Sequence, residues 1–143
     1  MWGTLALAAC RPAPDSPQSV LEGFLADLEY GRAQSAWKRL APDSQAWLET
    51  RWLELRRAEA PGREPKAPEP GALLFDLLDL TLLQAPESVA VVSPPGDRVT
   101  LRVSVEGGRS AEVRLVRHDD RWKVDLVSTL QLDRSPTGPD PGG

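Results

Sequence analysis

The chain has 143 residues, 41% of them hydrophobic and 27% charged, which is one globular domain with room for a real core. Its net charge of −4 comes from 17 basic and 21 acidic residues interleaved along the chain, so the basic stripe of a nucleic-acid binder is missing and no nucleic-acid partner is expected. One Cys and one His exclude an internal disulfide and a four-ligand zinc site, and no P-loop, nucleotide-binding glycine pattern or Ser-nucleophile elbow occurs; no metal and no cofactor is expected.

Residues 2–9 are apolar or small and too few to span a bilayer. Leu7-Ala8-Ala9-Cys10 resembles the lipobox of bacterial lipoproteins, an apolar residue and two small ones ahead of a Cys. The resemblance implies that residues 1–9 are a signal peptide and that Cys10 is acylated. It also implies a chain anchored through that lipid on the periplasmic face of a bacterial membrane, in the cell envelope. Two or three acyl chains hold a protein where one does not. The nine residues before Cys10 contain no Lys or Arg and fall short of the roughly 15–30 of a signal peptide, so a start upstream of Met1 is expected. Residues 10–16, with Pro12 and Pro14 among polar neighbours, read as a stiff tether. A single domain is expected over residues 17–132 and a disordered tail over 133–143.

The domain opens with a helix from Pro17 to about Tyr30. Ser16 is its N-cap, Pro17 suits the first position, and Gly31 ends it. Val20, Leu21, Phe24, Leu25 and Leu28 form one apolar face. A second helix, Arg32 to Leu40, buries Ala33, Ala36, Trp37 and Leu40, and Pro42 stops it. Asp43 or Ser44 caps a third, reaching about Ala58, whose stripe is Leu48, Trp52 and Leu55 with Trp47 beside it. The run from Ala60 to Gly71 is too rich in Pro for anything but a loop. Ala72 to Leu83 reads as a short amphipathic helix carrying Asp76 and Asp79.

After Pro86 the period changes from helical to alternating. Ser88 to Ser93 is a strand, and Pro94-Pro95-Gly96-Asp97 turns the chain into a second one with Val99, Leu101, Val103 and Val105 inward. A three-residue turn, Gly107 to Arg109, aligns the apolar rows of the next hairpin, pairing Val105 with Ala111, Val103 with Val113 and Leu101 with Leu115. A two-residue turn at Asp119-Asp120 opposes Leu115 to Val124, Val113 to Leu126 and Arg114 to Asp125. His118-Asp119-Asp120 is therefore hairpin chemistry. The last strand runs from Arg121 to about Leu130 with Trp122 inward.

Helices followed by an antiparallel meander define an α+β fold. Ser16-Pro17, Phe24-Leu25, Leu28-Glu29-Tyr30-Gly31 and Ala36-Trp37, together with the closing run from Val113 to Leu126, resemble nuclear transport factor 2-like domains, with Gly31-Arg32 in place of the usual Gly-Asp. The resemblance implies a cone-shaped, cystatin-like curved sheet with the helices packed over it and a pocket between. Its apolar lining would come from Trp37, Trp52, Leu101, Val103, Leu115, Trp122 and Val124. Members of that superfamily are enzymes or ligand-binding modules. The inward strand positions offer too few polar groups for catalysis, so the expected function is a non-enzymatic module that binds an envelope protein or a small apolar ligand. Alternatives are an isomerase or hydratase using Asp76, Asp79 and Tyr30 as acid and base, or a structural envelope protein that forms a homodimer through its sheet at the outward Val116 and Val127.

Overall fold

A computed structural model describes residues 16–59, 62, 67–78 and 80–134. Leu7-Ala8-Ala9-Cys10 and the expected tether to Asp15, Asp79, most of the Pro-rich loop and the residues beyond Arg134 lie outside these residues. Among the described residues, five α-helices and four strands follow in the order α1 (Pro17–Glu29), α2 (Ala33–Lys38), α3 (Pro42–Ala58), α4 (Leu74–Leu77), β1 (Ser88–Val91), β2 (Arg98–Ser104), β3 (Ser110–His118), β4 (Arg121–Val124) and α5 (Leu126–Arg134). Short 3-10 turns, Pro70–Leu73 and Leu80–Leu83, flank α4. The fold is α+β: helices first, then a curled antiparallel sheet in the order β1-β2-β3-β4, forming half a barrel.

Helix α1 forms where its caps allow. The Ser16 hydroxyl accepts from the Ser19 N–H, Pro17 holds the first position, and Leu21, Phe24, Leu25 and Leu28 face inward. Opposite them stand Val99, Leu101, Val103, Val113, Leu115 and Val124, the alternating inner face of the sheet, all within one hydrophobic core. The outer edge of the sheet at β4 is closed by the segment after α2. The Val124 N–H donates to the Arg39 carbonyl at 2.8 Å, and the Ala41 N–H donates to the Val124 carbonyl at 2.8 Å. At the opposite edge the Gln18 side-chain amide donates to the Val89 carbonyl at 3.2 Å.

Several expectations change. The β2–β3 turn is three residues long but is Glu106 to Gly108. The Val105 N–H donates to the Arg109 carbonyl, and Val103 pairs with Ala111, Leu101 with Val113, and Val99 with Leu115. The register thus slips two residues from the expected one and keeps the same faces together. Positive φ at both Gly107 (95°) and Gly108 (82°) fixes the turn there, because only glycine adopts such angles without strain. The Asp119-Asp120 turn is two residues, with Leu115 opposite Val124.

The last strand stops at Val124, and Leu126 opens α5 where a continued strand was expected. Asp125 caps that helix: its carboxylate accepts from the Ser128 N–H at 3.1 Å and from the Ser128 hydroxyl at 2.9 Å. The helix runs to Arg134, beyond the expected domain end at 132. Pro42 starts α3 as well as following α2. The residue ahead of it, Ala41, makes no side-chain cap, so neither Asp43 nor Ser44 plays that part. The Ser44 hydroxyl instead accepts from the Leu126 N–H at 2.8 Å inside the core.

The expected helix from Ala72 to Leu83 is broken. Leu78 takes extended angles (φ −85°, ψ 149°) and buries its side chain with Leu74 and Leu82. Of the expected α3 stripe, Leu48 is fully buried and Trp47 and Trp52 are half-buried, but Leu55 is exposed, as is Leu53.

Candidate functional site

An open, largely apolar groove of about 380 Å³ lies at the C-terminal end of α3. Trp52 forms one wall. Its indole N–H donates to the Ala67 carbonyl at 2.8 Å, which fixes the ring's orientation. One turn further on, the Arg56 guanidinium lies over that ring, 5.0 Å from its centre. Leu55 and Ala58 continue the helix wall. Ala67, and Leu73 from the first 3-10 turn, face them, and Glu59 and Asp76 bring carboxylates to the lining. Asp76 is exposed and Glu59 half-buried. Neither carboxylate has an ion-pair partner among the described residues.

The residues expected to share one cone pocket are divided between separate places. Leu101, Val103, Leu115 and Val124 are packed in the core. Trp122 is almost buried, and the Arg117 guanidinium covers its ring at 4.9 Å. Trp37 lines a different depression with Gln34, Glu49 and Glu69, so Trp52 alone of that set reaches the groove. Of the acid and base candidates, Asp76 reaches the groove, Asp79 lies outside the described residues, and Tyr30 is 69% exposed with the Arg32 guanidinium 5.2 Å from its ring centre. Tyr30 takes no part in the groove, so the two groups an isomerase would oppose are not brought together. Val116 and Val127 are half-buried. Among the described residues no group of three His, Cys, Asp or Glu side chains is placed to hold a metal ion.

The most unusual charge is one that sequence reasoning missed. Asp27, on the inner side of α1, is 2% exposed. Its carboxylate accepts from Arg32 Nε at 3.0 Å and from Arg39 Nε at 2.9 Å. Burial alone pushes its pKa up. Hydrogen bonds from Arg39, Ser35 and Arg32, with the charge of Arg39, outweigh that and hold it below the ordinary carboxylate value. The signal was present as two Arg residues five and twelve positions after an Asp on an apolar face, but a charge at such a position is usually solvent-facing. Both guanidinium groups reach solvent and Asp27 is saturated by them, so the cluster ties α1 to the segment that closes the sheet.

Compared with protein-family models, with curated proteins and with solved structures, the chain matches none.

Proposed function

We propose that this chain is an exported, lipid-anchored and non-enzymatic binding module of the cell envelope, a domain of the nuclear transport factor 2-like kind that takes a small apolar ligand. The observation that carries the binding half is the groove at Trp52, with Leu55, Ala58, Ala67 and Leu73 around it. The helix-first order and the curled antiparallel sheet support the kinship. Leu7-Ala8-Ala9-Cys10 and the Pro-rich residues after it support the anchor.

Each half has its own test. N-phenyl-1-naphthylamine, a neutral apolar fluorophore, is expected to brighten on binding the groove. Ala58→Phe, at an exposed position that projects into the groove, should weaken that binding about tenfold or more. Unchanged binding in that variant removes the groove from the reading. For the anchor, labelled palmitate in a bacterial host should be incorporated by the full chain and not by its Cys10→Ala variant; label retained in the variant removes the anchor.

A further inference from the structure

Resting on that reading of the groove, we infer that its ligand is an amphiphilic cation, an alkyl chain that carries an ammonium group. The apolar walls define the chain end: Trp52, Leu55 and Leu73 are a surface for methylenes, and about 380 Å³ is the size of a small ligand. The charge follows from three further observations. Of the three charged residues in the lining, Arg56 is already committed to the face of Trp52. Glu59 and Asp76 are left as carboxylates with no ion-pair partner among the described residues. The groove also sits at the C-terminal end of a 17-residue helix, where the macrodipole carries partial negative charge that Arg56 and Arg57 of the last turn offset in part.

The two carboxylates outnumber the one committed guanidinium, and with the helix end they favour a positive group. An anionic amphiphile would bring its charge against two carboxylates and the negative end of α3. A neutral one would displace water from those carboxylates and return nothing for it. An ammonium replaces that water with opposite charge. The groove differs in this from the Trp37 depression, where the Gln34 amide already lies 3.4 Å from a Glu69 carboxylate oxygen.

Three ten-carbon chains that differ only in the head group test the proposal. Decyltrimethylammonium, decanol and decyl sulfate are titrated against bound N-phenyl-1-naphthylamine, each below the concentration at which it forms micelles. The expected order is cation, alcohol, anion. The cation should act at about tenfold lower concentration than the anion at low salt, and the gap should narrow as salt is added. In the Glu59→Gln/Asp76→Asn double variant, which changes no fully buried side chain, the fluorophore still binds and the gap closes. Decyl sulfate matching the cation, or a gap that survives in the double variant, overturns the charge assignment and leaves the groove in place. Failure of the fluorophore to bind the unaltered chain overturns both.

Discussion

Asp27 keeps its charge inside the protein because donors from two directions reach it, and one of them depends on a missing side chain. Gly23 lies one turn before Asp27 on α1. A Cβ built there would sit 2.6 Å from the Arg39 guanidinium carbon and within 2.8 Å of both terminal nitrogens. The glycine is the space through which Arg39 approaches. Alanine in a helix is ordinarily better than glycine by about 1 kcal/mol. Gly23→Ala should show no such gain in the unaltered chain, because Arg39 must move off Asp27. On an Arg39→Met background the gain of about 1 kcal/mol should reappear. Urea unfolding of the four chains measures the coupling. The carboxylate itself sets a pH signature. Its folded pKa lies below the ordinary 3.8, so its contribution is complete above that value and is lost as pH falls through the folded one. Below pH 3.8 the urea midpoint of the unaltered chain should drop more steeply than that of Asp27→Asn, which at neutral pH should already be less stable by about 2 kcal/mol.

At the scale of elements, the junctions carry the constraints. The Asp119-Asp120 turn has φ of 51° and 61°, both left-handed, as a type I′ hairpin requires. Asp tolerates these angles and glycine takes them freely, so Asp120→Gly should raise stability by about 0.5–1 kcal/mol, read as a shift in thermal midpoint. The β4–α5 junction is held by Ser44 from α3. Ser44→Ala leaves the Leu126 N–H buried without an acceptor and should cost about 1–3 kcal/mol by urea unfolding. What the sequence made legible follows the same division. The α1 caps, the sheet's inner face and the second hairpin were readable because local rules specify them: Ser16-Pro17, the alternation from Val99 to Val105, and two Asp residues between matching apolar rows. The first hairpin's register needed the knowledge that Gly107 and Gly108 both go left-handed, which alternation alone does not supply. Asp125 does stand opposite Arg114, whose carbonyl accepts from its N–H at 2.8 Å, but the cap geometry with Ser128 that also makes it the start of a helix was missed. The groove was legible only at Trp52 and Asp76, because Ala67 arrives from the Pro-rich loop and Leu73 from a 3-10 turn, where no hydrophobic period places a residue against α3.

At the scale of the molecule, the chain's last helix belongs to its core. Leu126 is fully buried. The Thr129 hydroxyl accepts from the Arg114 N–H at 3.0 Å and donates to the Asp125 carbonyl at 2.7 Å, so α5 takes over beside β3 where β4 ends. A chain ended at Asp125 would open that flank of the core and orphan the Arg114 amide. It is expected to lose the cooperative thermal transition that circular dichroism should record for the full chain. The two rims of the sheet have a different consequence. A sheet grows into a fibre only if every copy offers two free edges, one to receive a strand and one to present the next. On this molecule the segment from Arg39 to Ala41 occupies both pairing groups of Val124 at one rim, so among the described residues strand addition is hindered there and is left mainly to the short β1 side, where Gln18 already holds one carbonyl. A pairing of two copies through that side consumes the β1 rim of each and closes on itself at two, which works against open-ended growth.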